Sequence, residues 1–155
     1  AYATIRDSGR SLGIDFRFDL IERTPNTVDS HRLIHRAGEL GGADAQDAVV
    51  EALFGAFFTA GRNIGDHREL ADIASAIGLA RNETLDYLEG AEDTELVLTA
   101  DEHLRAKGVG GVPCFVIEDK FAVSGAQSPE VFHQIFDLAR EASAMQPAPT
   151  AAAAE

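Results

Sequence analysis

Apolar and charged residues alternate near the start of the chain. Ile14, Phe16, Phe18 and Leu20 are separated by Asp15, Arg17 and Asp19. A period of two places successive side chains on opposite faces of an extended backbone. The pattern therefore predicts an extended segment with one buried face. Residues 1–5, which precede it, are typical of the end of a helix.

A helical period follows residues 24–26. Asn26 is of a type that caps helix starts, and Asp29 would lie in the first turn. The buried face of this helix is expected to consist of Leu33, Ala37 and Leu40, and Gly41-Gly42 would end the helix. A second helix is predicted from about residue 44 to residue 60. It should be the most buried helix, because apolar residues cover most of its circumference: Val49, Val50, Leu53, Phe54, Phe57 and Phe58.

Three further helices are predicted between residues 66 and 107. Asp66, with Glu69 three residues later, has the pattern of a capping box. The core face behind it would consist of Leu70, Ile73, Ala74 and Ile77, and Gly78 would end the helix. Two more helices are expected at about 82–89 and 93–107, with Gly90 between them.

A β-hairpin and a last helix are predicted in the remaining chain. Val112-Pro113 follows a Gly-rich approach and precedes a β-branched run, and proline is tolerated at the start of a strand. A charged turn at 118–120 separates this run from a second one. Ser128 would cap the last helix and Pro129 would occupy its first turn. The buried face of that helix would comprise Phe132, Ile135, Phe136 and Ala139.

Composition narrows the classes of function. A chain of 155 residues suits one domain with a substantial core. The net charge of -13 repels phosphate backbones and anionic lipid headgroups, which argues against nucleic acid or a membrane surface as a partner. A single cysteine, Cys114, excludes an internal disulfide framework and favours a reducing compartment, so we expect a cytoplasmic protein.

Several short segments occur in the order found in one known family. They are Pro25-Asn26-Thr27, residues 31–35 (HRLIH), 51–54 (EALF), 61–66 (GRNIGD), 110–117 (GGVPCFVI) and 123–127 (VSGAQ). With this ordered set, which runs from about Leu12 to Phe136, the chain resembles the thioredoxin superfamily. More narrowly it resembles the DsbA-like branch that contains the FrnE-type proteins.

The resemblance implies an α/β, thioredoxin-like fold of the DsbA type with an inserted helical domain. Residues 1–22 would be the end of a helix and an extended segment, 23–108 the helical insertion, 109–144 the C-terminal ββα part, and 145–155 a flexible tail. Two strands cannot bury a core by themselves. We therefore expect the sequence to be a C-terminal fragment without the N-terminal strand-helix portion, which in the family carries the redox motif, often Cys-x-x-Cys.

Candidate site residues also come from the resemblance. In thioredoxin-like proteins the proline that matches Pro113 is cis and faces the redox site, so Val112 and Pro113 would bind substrate. Asn26, Thr27 and His31 would lie near the substrate cleft, together with the neighbouring arginine. Capping the helix is an equally good role for Asn26.

Two other features have a chemical and a structural interpretation. Cys114 is a candidate thiol near a redox centre, or a small buried residue at a strand start, which we favour because free cysteine is usually buried. His31 and His35 lie four residues apart and can share a metal on a helix. Arg32 stands where zinc proteases have Glu, and no third ligand is evident, so no metal is expected. No catalytic residue and no bound cofactor are expected in this chain.

Three functions remain open. The first is part of a thiol-disulfide oxidoreductase that acts on a substrate protein or a small thiol, inactive as a dithiol enzyme without Cys-x-x-Cys. The second is a glutathione-dependent isomerase or transferase of the kappa or hydroxychromene-carboxylate-isomerase type, although Ala126-Gln127 replaces the charged pair of those relatives. The third is a non-redox binding module. A homodimer is a further expectation, because the hairpin would have an unpaired edge.

Overall fold

A computed structural model of the protein describes residues 2–144, and the chain divides into two units between Ala100 and Asp101. The predicted flexible tail, residues 145–155, lies outside the described residues. The elements are α1 (Tyr2–Ser11), a 3₁₀ turn (Phe18–Leu20), α2 (Val28–Phe54), a π-helical turn (Gly55–Thr59), α3 (His67–Ala76), α4 (Arg81–Glu89), α5 (Thr94–Ala106), β1 (Cys114–Ile117), β2 (Phe121–Ser124) and α6 (Pro129–Ala144). Among residues 2–144, no helix has the length and apolarity needed to cross a membrane.

Helix α2 is a helical hairpin. Gly42 has φ 70° and ψ -160°, a non-helical conformation that favours glycine. The side-chain amide nitrogen Nε2 of Gln46 donates to the backbone carbonyl oxygen of Ile34 at 3.3 Å, so the arms before and after Gly42 lie side by side. The predicted break at Gly41-Gly42 is therefore confirmed. Leu40 is 60% exposed, and its predicted place in the core is wrong because it lies at the turn of the hairpin.

The core of the first unit lies between the two arms of α2 and helices α3 and α4. Its buried side chains are Leu33, Ala37, Val49, Leu53, Ala56, Ile64, Leu70, Ile73, Ala74, Tyr87 and Leu88. The second arm of α2 is less buried than predicted, because Phe54 is 57% exposed. In α3, by contrast, Leu70 and Ala71 are fully buried. The predicted core face of α3 is confirmed, with Ile77 partly buried at its end.

Residues 14–20 form no strand, and the prediction of an extended segment is wrong for Phe18–Leu20, which form the 3₁₀ turn. The backbone N–H of Arg17 donates to the carbonyl oxygen of Phe58 at 2.8 Å, so the segment is attached to the π-helical turn after α2 and not to a sheet. The rings of Phe16 and Phe18 stack with centroids 5.2 Å apart, and both contact the Phe58 ring edge-on. The alternation in sequence therefore marks an aromatic cluster.

Asp66 caps α3 as the sequence predicts. Its carboxylate accepts from the backbone N–H groups of Arg68 and Glu69, at 2.9 and 3.2 Å. The reciprocal bond of a capping box is replaced by an ion pair, because Glu69 accepts from Nε of Arg62 at 2.6 Å. The cap is confirmed, and the Glu69 side chain instead holds the loop that precedes it.

The second unit contains the predicted hairpin and the last helix. Strands β1 and β2 are antiparallel, and Phe115 pairs with Val123. This face of the sheet packs on α6, since the rings of Phe115 and Phe132 meet at right angles 4.9 Å apart and Val123 and Ala139 are each 5% exposed. Phe136 is 51% exposed, contrary to the prediction, because two strands of four residues cover only part of α6.

Candidate functional site

The first site residues lie at the entrance to β1. The Val112–Pro113 peptide bond is cis. Val112 is 90% exposed, and Pro113 is exposed as well. The carbonyl oxygen of Pro113 accepts from the backbone N–H of Gly125 at 2.7 Å, so Pro113 is attached to the far end of β2.

The register of the hairpin shows which backbone groups of β1 face outward. Hydrogen-bonded and non-hydrogen-bonded pairs alternate along an antiparallel ladder. Since Pro113 bonds to Gly125, the pair Phe115–Val123 is also hydrogen-bonded. Cys114 and Val116 then direct their N–H and C=O groups away from β2. Within residues 2–144, β1 pairs with β2 alone, so its other edge is free.

Cys114 lies at the start of this free edge. It is a free cysteine and is half-buried, so it is less buried than the structural interpretation expects. Successive side chains of a strand point to opposite faces. Because Phe115 contacts α6, the Cys114 side chain lies on the opposite face of the sheet.

An apolar cavity of about 420 Å³ lies in the first unit. It is lined by Thr24, Pro25, Thr27, Ser30, His31, Ile34, Val50, Leu53, Phe54, Phe57, Phe58 and Ile64. Of the predicted site residues, Thr27 and His31 lie in its wall and Asn26 does not. The volume is in the range of small-ligand sites, roughly 300–1,000 Å³.

His31 and Asn26 have different tasks at the start of α2. Nδ1 of His31 lies 2.7 Å from the carbonyl oxygen of Thr27. A carbonyl oxygen can only accept, so Nδ1 carries the proton, and Nε2 of a neutral ring can accept a hydrogen bond from a ligand. The side chain of Asn26 accepts from the N–H of Val28 at 3.0 Å, so it stabilises the helix start.

Ser30 shapes the cavity and was missed by the sequence analysis. Its hydroxyl donates to the carbonyl oxygen of Ile64 at 2.6 Å, and the bond is buried. The bond fixes the loop before α3 against α2, which positions Ile64 in the cavity wall. A serine on the core side of a helix gave no distinct signal in the sequence.

The resemblance placed Arg32 near the substrate cleft, but the sequence analysis missed its structural role. It is 2% exposed and does not line the cavity. Its guanidinium donates to four carbonyl oxygens at the end of α4 and in the following loop, those of Tyr87, Leu88, Gly90 and Glu92. The carbonyls of Tyr87 and Leu88 lie in the last turn of α4, where they would otherwise lack a partner within the helix. Asp29, three residues earlier, pairs with it at 2.7 Å, and this spacing was a usable signal in the sequence.

Asp29 connects the side chains of Arg32 and His67. It accepts from Arg32 and lies 2.9 Å from Nε2 of His67. Burial by itself raises the pKa of Asp29, but the hydrogen bonds from Arg32 and His67 outweigh burial, and the pKa lies below its ordinary value. The carboxylate therefore stays ionised and joins α2 to the start of α3.

Comparison with known proteins relates the chain to one family. The sequence matches the family of DSBA-like thioredoxin domains over residues 2–137. The chain belongs to this family. The DsbA-like domain is also similar to the crystal structure of a probable DsbA oxidoreductase from Streptomyces coelicolor, with a TM-score of 0.77 and 28% sequence identity. The match covers 95% of this chain and 61% of that chain. The comparison with curated proteins gave no match.

The family match confirms the DsbA-like, thioredoxin-like fold that the ordered segments indicate. Assignment to the FrnE-type branch stays a prediction. In this DsbA-like domain, Thr27 and His31 come together in the cavity of the first unit. Val112, Pro113 and Cys114 come together at the free edge of β1 in the second unit. Their roles in substrate binding stay predictions.

Proposed function

We propose that this DsbA-like domain is the substrate-recognition part of a thiol-disulfide oxidoreductase that acts on a cysteine or disulfide of another protein. Family membership and the likeness to a probable DsbA oxidoreductase support this function. Because the chain spans 61% of the length of that structure, the redox chemistry itself is part of the proposal.

The β1 edge, which no strand within residues 2–144 covers, is the observation that carries the proposal. Cys114 and Val116 offer backbone N–H and C=O groups two residues apart, directly after the exposed Val112-Pro113. An extended peptide can add to such an edge through main-chain hydrogen bonds, which tolerate many side-chain sequences. A peptide bound there lies beside the Cys114 end of the strand. This recognition suits an enzyme whose substrates share a disulfide and little else.

The apolar cavity supports the same function separately. Its wall combines aromatic and aliphatic side chains with the imidazole of His31. Such a wall takes up an apolar side chain, and Nε2 of His31 accepts a hydrogen bond from a polar group beside it. Unfolded or partly folded substrate proteins expose such side chains.

Dithiol exchange would draw on thiols outside these 155 residues. A mixed disulfide needs a second thiol to resolve it, and the sequence has only Cys114. We therefore expect no catalysed reduction of insulin by dithiothreitol in the presence of this chain. Cys114→Ser is expected to behave in the same way. Turnover that Cys114→Ser abolishes would contradict the assignment and identify Cys114 as a working nucleophile.

Two proline substitutions test recognition at the free edge. Val116 and Ala122 are partners in a non-hydrogen-bonded pair, so their N–H groups point to opposite edges of the hairpin. Val116→Pro removes a donor from the β1 edge, and Ala122→Pro makes the matched change on the β2 edge. The probe is a fluorescein-labelled insulin B chain, reduced and carbamidomethylated, and binding is measured by fluorescence anisotropy.

We expect Val116→Pro to weaken binding about tenfold or more, because one main-chain hydrogen bond is lost and the ring obstructs the edge. Ala122→Pro should bind as the unsubstituted protein does. Far-UV circular dichroism of both variants checks that the hairpin change leaves the helices intact. Equal binding by the two variants would reject the β1 edge as the recognition surface.

A further inference from the structure

Three potential metal ligands converge on one side of the helical unit. Nε2 of His35 lies 3.7 Å from Oε1 of Glu39 and 4.0 Å from Oδ1 of Asp93. All three ligand atoms lie within 4.8 Å of one another. His35 and Glu39 are one turn apart on α2, and Asp93 comes from the loop after α4. The cluster therefore joins two parts of the unit that are distant in sequence.

The separations fit a shared ion better than direct hydrogen bonds. Both His35 distances exceed a hydrogen bond, whose nitrogen–oxygen separation is about 2.7–3.2 Å. Two ligand atoms that each lie about 2.0–2.2 Å from one zinc ion can be at most about 4.4 Å apart. The two His35 separations fall below that limit. The third pair, Glu39 and Asp93, lies within 4.8 Å, and the Glu39 side chain is 47% exposed, so it can rotate to adjust this separation.

Each carboxylate has one oxygen engaged elsewhere. Tyr87 donates its hydroxyl to Oδ2 of Asp93 at 2.9 Å, which leaves Oδ1 toward His35. Arg36 donates to Oε2 of Glu39 at 3.3 Å, which leaves Oε1 toward His35. Partners of this kind orient metal-binding carboxylates in known sites.

The loop that carries Asp93 is held in place. Arg32 donates to the carbonyl oxygen of Glu92, immediately before Asp93, and to that of Gly90, three residues before it. The Asp93 side chain is only 18% exposed and the His35 side chain 34%. These two ligands are therefore positioned by packing before any ion arrives, and only Glu39 has to adjust.

We propose that His35, Glu39 and Asp93 bind a divalent transition-metal ion of the zinc type, which fastens the loop after α4 to helix α2. One imidazole with two carboxylates suits Zn²⁺ better than Mg²⁺ or Ca²⁺, which prefer oxygen ligands alone. The net charge of -13 favours cation binding, while Arg36 beside Glu39 opposes it. Water completes the coordination of the ion.

Zinc binding is measured by isothermal titration and by competition with a chromophoric chelator. Every variant carries Cys114→Ser, because a thiolate is itself a zinc ligand. The test variants are His35→Gln, Glu39→Gln and Asp93→Asn. The matched control is His133→Gln, an exposed histidine on α6.

We expect one zinc ion per chain in the Cys114→Ser protein and in the His133→Gln control. Each of the three test variants should lose affinity by about tenfold or more, while excess Mg²⁺ leaves zinc binding unchanged. Zinc should also raise the melting temperature of the control and not of His35→Gln, because an ion that binds only the folded state stabilises it.

Three results would overturn the site. They are the absence of saturable zinc binding, undiminished binding by His35→Gln and Glu39→Gln, and an equal loss in the His133→Gln control. Glu39 is largely exposed, so Glu39→Gln is expected to fold and gives a clear answer even if Asp93→Asn unfolds.

Discussion

Replacement of Arg32 by methionine should destabilise the helical unit severely. The guanidinium makes five hydrogen bonds, four of them to backbone carbonyl oxygens and one to Asp29. It also lies over the Tyr87 ring, 4.9 Å from the ring centre. Methionine keeps much of the side-chain volume but supplies no donor. The perturbation therefore removes hydrogen bonds while it leaves the space filled.

The size of the destabilisation depends on which carbonyl oxygens are left without a hydrogen-bond donor. The bonds to Tyr87 and Leu88 are buried, and each buried carbonyl left without a partner costs roughly 1–3 kcal/mol. The bonds to Gly90 and Glu92 are only partly buried, so water replaces them at small cost. Asp29 also loses its cationic partner. The sum is about 3–5 kcal/mol, the usual range when one member of a buried ion pair is removed.

Arg36→Met is the matched control, one turn further along α2. Arg36 also lies over the Tyr87 ring, at 5.4 Å, but its side chain is 37% exposed and its ion pairs with Glu39 and Glu92 lie at the surface. Exposed pairs contribute up to about 1 kcal/mol. Both variants are unfolded in urea and followed by far-UV circular dichroism, with chelator present. A loss in Arg32→Met within about 1 kcal/mol of the loss in Arg36→Met would refute the reasoning.

Two further predictions concern pH and backbone geometry. Because folding lowers the pKa of Asp29, its contribution to stability is complete above the unfolded pKa of about 3.9 and is lost as pH falls through the folded pKa. In urea unfolding at several pH values below neutrality, the free energy of unfolding should depend less on pH in Asp29→Asn than in the unsubstituted protein. An equal pH dependence in the two proteins would exclude this role. Gly61 has φ +64°, and a Cβ there would meet the backbone and side chain of Leu20, so Gly61→Ala should cost about 2–4 kcal/mol. Gly78→Ala, at φ +94° in open space, should lose only about 1 kcal/mol, and similar losses in both variants would show that the contact with Leu20 is unimportant.

Local chemistry predicted much of the fold. The caps, the glycine stops and the Val112-Pro113 strand start depend on residues near one another in sequence, and the structure has helix starts and a hairpin at these positions. Helical periodicity identified the core face of α3 for the same reason. The ordered family segments supplied the fold class, which two strands and a set of helices do not specify.

Burial was harder to predict, because periodicity identifies the face of a helix and not what covers it. Phe54 and Phe136 both lie on apolar faces, yet both are more than half exposed. Phe16 and Phe18 alternate with charged residues but pack on Phe58, a contact between segments about 40 residues apart. The hydrophobic pattern is the same for a strand and for such a cluster.

Site residues could be predicted only where they lie in a segment that resembles the family. Thr27 and His31 line the cavity, but the roles of Ser30 and Arg32 depend on carbonyl oxygens more than 30 residues away. Backbone acceptors have no sequence signature. The Asp29–Arg32 spacing showed an ion pair but not what else the arginine would bind.

The conformation of Gly42 determines whether α2 folds back on itself. An uninterrupted helix from Val28 to Phe54 has 27 residues and would be about 40 Å long. Ala37 and Val49, now buried in one core, would then be about 18 Å apart along the axis. A side chain at position 42 disfavours the turn and favours the straight rod. Two rods can recover the buried contacts only by exchanging arms between chains, so this glycine keeps the helical unit within a single chain.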